Sequence, residues 1–565
     1  MSRRGNEALR RRGCNRAFER LQSRPGPRHM ARGDGMHDCD AIVIGSGSGG
    51  LTAALALARA GRRVVVFEQH YLPGGYSQSF ELSGFRFSPG IHYVGALRPG
   101  GTLRRVYEGL GVANDLEFFE LNRDGYDHVV IGDGRRFAIP AGKARFAERL
   151  KQRFPTEAAG IDHYFDVIGR ISDELGYAAP VHGLREAASM ALHMPTVLRH
   201  GLTPLAHFLD GCTRDPFLRA ILSIQAGDHG MAPSRAPTAL HAGLQSYYFD
   251  GGCYPKGGGH LIPETLSRHI VGHGGAVVLR TSVERILVED GRVIGVRLAD
   301  GTEVRAPIVV SNADPGVTWG RLVPPEHVGW MLRKRIEHLH FSVSTLSLFM
   351  AVDMDLRAAG MDSGNVWFSR TTDVDASYAY AEHPTLTGRE EIPGVFCNAT
   401  TLKDPTMRSD GLHTVEAMAI SSVDPFARWK DMAPGKRGED YRQLKLDLTE
   451  RILDAVECFV PGLRERTVFR ALGTPLTNVR FLNATRGGIY GTEKTLGNLG
   501  PFGFDVATHV PGLFQCGAST LAPGINGVTH SGLNAAAAAL GCTSDELLTA
   551  TGQELRIYPA EPPAA

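Results

Sequence analysis

A glycine-rich turn between two apolar runs is the strongest constraint on what this chain can fold into. Ala41-Ile42-Val43-Ile44 is a β-branched run without polar alternation, the pattern of a strand buried on both faces. Gly45-Ser46-Gly47-Ser48-Gly49-Gly50 follows, then an Ala/Leu-rich helix over residues 51–60, which Gly61 stops. A second strand, Arg63-Val64-Val65-Val66-Phe67, ends in Glu68. In G-x-G-x-x-G each glycine has a mechanical task. Gly45 permits the tight turn, Gly47 lets backbone approach a pyrophosphate, and Gly50 lets the helix lie close on the strand. The free amides and positive dipole end of the helix attract phosphate. Glu68 lies 18 residues past Gly50, where a carboxylate accepts hydrogen bonds from ribose hydroxyls. No Arg immediately follows it, which argues against a 2′-phosphate. The expectation is a dinucleotide site.

The residues after Glu68 narrow the choice of dinucleotide. Pro73-Gly74-Gly75-Tyr76-Ser77-Gln78-Ser79-Phe80, with Gly84-Phe85-Arg86-Phe87 and Gly90-Ile91-His92, reads as a second glycine turn feeding a short hairpin. Here the sequence resembles the flavoprotein superfamily of phytoene desaturases, carotenoid isomerases and retinol saturases. Glu68-Gln69-His70, Gly74-Gly75 and Gly90-Ile91-His92-Tyr93-Val94-Gly95 are most similar to the retinol saturases. Further on, Gly473-Thr474-Pro475-Leu476-Thr477, Arg480-Phe481-Leu482 and Gly488-Ile489-Tyr490-Gly491 resemble the carotenoid isomerases. These lead to Gly517-Ala518 and to Pro523-Gly524-Ile525-Asn526-Gly527-Val528, before an Ala-rich helix. The resemblance runs from about Asp40 to Cys542.

The resemblance implies an α/β fold: an FAD-binding Rossmann-like domain of the glutathione-reductase type, built from discontinuous segments, with an inserted α+β substrate domain. The expected FAD segments are 38–125, 251–315 and 473–545, and the substrate segments are 126–250 and 316–472. A basic arm, 1–37, and a tail, 546–565, flank them. The second FAD segment is read from a strand, two hairpins turning at Asp290-Gly291 and Asp300-Gly301, and a closing run, Ile308-Val309-Val310-Ser311-Asn312-Ala313. Within the substrate segments, 143–250 and 403–465 read as mostly helical.

The cofactor-binding residues so implied are Gly45, Ser46, Gly47, Gly49, Gly50, Glu68, Gln69, Gly74, Gly75, Ser77, His92, Val283, Asn312, Ala313, Gly517, Ala518, Gly524, Asn526, Gly527 and Val528. Val283 is assigned to the adenine end by the resemblance of Thr281-Ser282-Val283-Glu284-Arg285-Ile286. Many relatives have an Asp where this chain has Ala518. His92, Tyr93 and His530 are the candidates for proton handling.

The implied activity is redox chemistry at carbon–carbon bonds of a conjugated isoprenoid, with retinol-saturase-like reduction ahead of desaturation or isomerisation. An amine oxidase and a prenyl-binding protein of the GDP-dissociation-inhibitor type share the fold and stay open as alternatives. No second G-x-G-x-x-G occurs, so electrons are expected from, or to, an external partner.

Composition enters as an exclusion. A net charge of +1 gives no basic field for nucleic acid. Eight cysteines without a CxxC pair suit neither a disulfide framework nor a zinc site, and no metal is expected. No run reaches a membrane-spanning length, so the expectation is a cytoplasmic protein, with peripheral attachment to a membrane surface open. Residues 186–209, rich in Leu and Met, are the candidate for that surface or for a substrate tunnel.

Overall fold

The computed structural model describes residues 38–177, 192–383, 391–408 and 410–562. The basic arm and the first residues of the 186–209 stretch lie outside them. Two sheets organise the molecule. The first has five parallel strands in the order Leu513–Gln515, Ile308–Ser311, Ala41–Ile44, Val64–Phe67, Ala276–Val278. Its central strand is buried at every residue, as an all-apolar run between two helical layers requires.

Helix Ser48–Arg59 leaves the glycine turn and packs on helix Gly524–Leu540, from the far end of the chain. The contact depends on glycine: a Cβ on Gly532 would lie 2.0 Å from the Gly49 carbonyl oxygen. The meander Val283–Glu289, Arg292–Leu298, Glu303–Arg305 connects the outer strand Ala276–Val278 back to Ile308–Ser311.

The second sheet has seven strands in the order Thr467–Gly473, Ser344–Val352, His413–Ser421, Gly394–Ala399, Asn365–Ser369, Asp127–Ile131, Arg136–Ile139. All neighbours are antiparallel except Asn365–Ser369 with Asp127–Ile131. Strand alternation sends Leu346, Leu348, Val395, Ala417 and Phe368 to a core under helix Gly438–Glu457. Trp367, Phe396, Met418 and Ile420 face the other way, toward the first sheet.

His413–Ser421 corrects the helical reading of 403–465. Its Ala and Glu content suggests a helix, but Val415, Ala417 and Ala419 alternate with Glu416, Met418 and Ile420. Both faces find partners, so tertiary packing overrides propensity. The expected tail also carries structure: Arg556–Pro559 pairs in parallel with Glu117–Glu120, which pairs with Cys253–Pro255.

In the 186–209 stretch, Val197, Leu205, Phe208 and Leu209 are buried, whereas Leu192, Leu198 and Leu202 are exposed. Among the described residues no helix is long and apolar enough to cross a membrane.

Candidate functional site

A cavity of about 390 Å³ lies between the two sheets and is lined by residues of both. That is within the size range of a ligand site. Its first wall is backbone. Gly45, Gly47, Ser48 and Gly49 open the Ser48–Arg59 helix, whose N-terminus no side chain caps and whose first turn has no acid. A Cβ on Gly47 would come within 2.6 Å of Asn312 Nδ2, and one on Gly49 within 2.9 Å of the Val528 carbonyl oxygen. The wall is therefore a cradle that only glycine leaves open, with unsatisfied amides for an anion.

Glu68 closes one side. Its Oε2 accepts from the Ser46 amide at 2.8 Å and the Ser46 hydroxyl at 2.7 Å, and its Oε1 accepts from the His70 amide at 2.8 Å. Ser46 therefore stands behind the cavity and holds the acid in place. The second glycine turn docks on the first: the Gly74 amide donates to the Ser46 carbonyl at 3.0 Å, and the hydroxyls of Ser48 and Ser77 lie 2.7 Å apart.

Gln69, Gly75, Ser77, Val283, Asn312 and Ala313 join this wall, Val283 at the meander end. Asp314 ties it to the C-terminal segment by accepting from the Thr485 amide and hydroxyl, both at 2.7 Å. Gly517, Ala518, Gly524 and Val528 complete it, and the N-terminus of helix Gly524–Leu540 points into the cavity. Such an end stabilises negative charge.

Gly50, Asn526 and Gly527 do not line the cavity; they set its shape. A Cβ on Gly50 would sit 2.3 Å from the Gly45 carbonyl oxygen, and one on Gly527 would sit 2.4 Å from that of Ala522. Asn526 is buried and accepts from the Thr102 hydroxyl at 3.2 Å.

This donor set fits a dinucleotide. The chain matches the family described as flavin containing amine oxidoreductase over residues 48–540. It belongs to that family. The cofactor is FAD, and the protein is an FAD-dependent oxidoreductase. It is 32% identical over 479 residues to the all-trans-retinol 13,14-reductase of Danio rerio, covering 81% of this chain and 78% of that one. It is 27% identical over 521 residues to prolycopene isomerase 2 of an Oncidium hybrid cultivar, covering 87% and 82%. Among solved structures, cyclohexylamine oxidase from Brevibacterium oxydans superposes with a TM-score of 0.60 at 18% identity, covering 90% of this chain and 99% of that one. That likeness establishes the shared fold.

The second wall of this flavin oxidoreductase is made of side chains from the seven-stranded sheet. Trp367, Phe396, Met418 and Ile420 give it an apolar, aromatic face, and Tyr378 and Tyr490 stand beside it. Past this face the same strand sides turn polar. His92 Nδ1 lies 3.2 Å from Glu416 Oε2, and Glu416 Oε1 accepts from the Ser88 amide at 2.6 Å. Buried Lys403 donates to the His92 carbonyl and to Asn365 Oδ1, both at 2.6 Å. Asn365 in turn donates to Asp127 Oδ1 at 2.8 Å.

Burial dominates these groups. It lowers the His92 imidazole below its ordinary value against the pull of Glu416, and it lowers Lys403 to about 7. Burial raises Asp127 to about 6, while donation from Asn365 and Gln225 opposes the rise.

Of the three candidates for proton handling, His92 lines the cavity. Tyr93 is buried behind it, with its hydroxyl near Asp127 and Asp228. His530 faces Arg105 and Asp545 and does not line the cavity. Sequence reasoning misses Glu416, Lys403, Asn365, Asp127 and Asp228. Four of these are fully buried, and the signal that could have found them is a single polar residue inside an apolar run, as in Thr414-Val415-Glu416-Ala417-Met418.

Proposed function

We propose that the chain reduces a carbon–carbon double bond in a conjugated isoprenoid such as a retinoid. The observation that carries this reading is the aromatic, apolar wall of Trp367, Phe396, Met418 and Ile420 set opposite the FAD cradle. A flat polyene buries its length against such a wall at roughly 25 cal/mol per Å² of apolar surface. The similarity to a retinol 13,14-reductase over four-fifths of the chain supports reduction. Isomerisation is the second reading, supported by the likeness to prolycopene isomerase.

Bound FAD supplies hydride transfer; the chain orients the polyene and manages the proton. His92 stands at the cavity with Glu416 behind it, and burial keeps its ring neutral. Lys403 fixes the His92 backbone rather than reaching the cavity. Electrons come from an external donor, since the chain carries one dinucleotide fingerprint. Leu192, Leu198 and Leu202 give an exposed apolar surface for membrane-borne substrate to approach.

The test is anaerobic incubation of the flavin-reduced protein with all-trans-retinol or a cis-polyene, followed by mass analysis. A gain of two hydrogens is the expected result. Unchanged mass with a shifted absorption spectrum establishes isomerisation instead, and two hydrogens lost from an oxidised-flavin incubation establishes desaturation.

A further inference from the structure

A third acid faces the cavity from an element that the sequence did not mark. Asp228 ends the short turn Ile224–Asp228 and lines the cavity beside Gly227, Trp367, Tyr378 and Tyr490. Gly227 is what lets it approach: a Cβ there would lie 2.3 Å from the Trp367 ring. The Tyr93 hydroxyl lies 2.5 Å from Asp228 Oδ2 and 3.3 Å from Asp127 Oδ2. A phenol has one proton, so it cannot donate to two carboxylates at once.

Lys403 is the buried cation of this region, and its ammonium is taken by the His92 carbonyl and Asn365. One of the two acids therefore keeps its proton, as two close carboxylates in a dry site must. Asp127 accepts from two amides, Asn365 Nδ2 and Gln225 Nε2, each at 2.8 Å, and such donation favours its ionised form. Among the described residues, the Asp228 side chain has only the phenol of Tyr93 as a hydrogen-bond partner, and Trp367, Tyr378 and Tyr490 line the cavity with it. Burial and the neighbouring Asp127 charge both push its carboxyl well above the usual range. The cavity beside it also holds an unmet polar group: the Tyr378 hydroxyl, 5% exposed as a residue, has no hydrogen-bond partner among the described residues.

We propose that Asp228 is the catalytic acid of the double-bond reduction, delivering its carboxyl proton to the substrate carbon next to the one that takes the hydride. This rests on the reductase reading above. In the step, the substrate π bond breaks. One carbon gains the hydride that FAD, reduced by an external electron donor, supplies. Its neighbour gains the Asp228 proton, and the O–H electron pair stays on the carboxylate. Tyr93 is the positioning residue: its hydroxyl holds Asp228 Oδ2 and donates to the carboxylate once the proton has left. Oδ1 is the oxygen left to serve the cavity.

The experiment uses the full chain loaded with FAD and two readouts. The first is infrared spectroscopy at neutral pH without substrate. The carbonyl stretch of a protonated buried carboxyl is expected in the wild type and in Asp127→Asn, and lost in Asp228→Asn. The second is single-turnover reduction of all-trans-retinol in heavy water, with deuterium entering the product at the carbon that takes the proton. Asp228→Asn should slow this step ~10²-fold or more, with the bound-flavin spectrum unchanged, and Asp228→Glu should recover part of the loss. Tyr93→Phe should shift the pH profile of the step rather than abolish it. Absence of the infrared band at neutral pH, its persistence in Asp228→Asn, or wild-type turnover in Asp228→Asn overturns the assignment. If the wild type does not reduce retinol at all, the reductase reading falls, and the infrared result alone supports or refutes the protonated Asp228.

Discussion

The two walls of the cavity are built by opposite means. The cofactor wall is backbone: glycines, helix ends and one carboxylate clamped by its own turn, drawn mainly from local sequence. The second wall is side chain, and behind it His92, Asn365, Lys403 and Glu416 come from widely separated segments and meet only because strands register. A backbone site fails when atoms are added to it. A side-chain network fails when a member is removed and its partners stay buried.

The sharpest way to break the contrast is to add side-chain bulk at a glycine that shapes the first wall. Gly50→Val drives side-chain atoms into the Gly45 carbonyl, 2.3 Å from the ideal Cβ. Purified protein should hold at least about tenfold less flavin, equivalent to ~1.4 kcal/mol or more, read from visible absorption. Full yellow occupancy would mean that the turn opens without loss.

The matching deletion in the second wall is Glu416→Leu. It leaves the Ser88 amide and the His92 ring without their carboxylate partner in a dry interior, at roughly 1–3 kcal/mol. Denaturant unfolding should show the loss, with Glu416→Gln closer to wild type. Equal stability of the two variants would remove the network from the account.

A pH series sharpens the comparison further, because ionisable groups belong chiefly to the second wall. Asp127 is raised from 3.8 to about 6, so between those values the folded state binds more protons than the unfolded state. The Asp127 contribution to stability therefore falls as pH rises through that window, by about 3 kcal/mol at most. Asp127→Asn should lessen the fall and leave the part that the raised Asp228 carboxyl contributes. Lys403 is lowered from 10.5 to about 7, so the unfolded state binds more protons between those values, and stability rises with pH there. Lys403→Met should flatten that rise. Variant curves parallel to the wild type in both windows would show that the buried charges are hydrated.

The smallest effect belongs to a residue in neither wall. Tyr558→Ala removes a hydroxyl that donates to Glu117 Oε1 at 3.1 Å on the partly exposed C-terminal strand. It should cost about 1 kcal/mol of stability and leave the flavin spectrum as it was. A loss of flavin here would join that strand to the cofactor wall.

The same division explains which residues are legible in the amino-acid sequence and which are not. Gly45, Gly47, Gly50 and Glu68 announce themselves because a nucleotide turn needs particular residues at particular spacings. Val283, Asn312 and Gly517 follow from family likeness, and the cavity gathers them. Glu416 is hidden twice: it sits among helix formers, and its partner His92 is 324 positions away. Asp228 is hidden because a lone Asp before His-Gly in a loop has many innocuous meanings. Its role depends on the Tyr93 hydroxyl, and spacing says nothing about that meeting.

The approach of Gly532 to the Gly49 carbonyl bears on how the protein is made. The nucleotide turn leaves the ribosome first, and the helix that braces it follows several hundred residues later. The strand Ala41–Ile44 likewise waits for Ile308–Ser311, and that strand waits for Leu513–Gln515. A finished cradle thus waits for that helix. A nascent chain stalled before residue 513 has the whole fingerprint and no finished site to load.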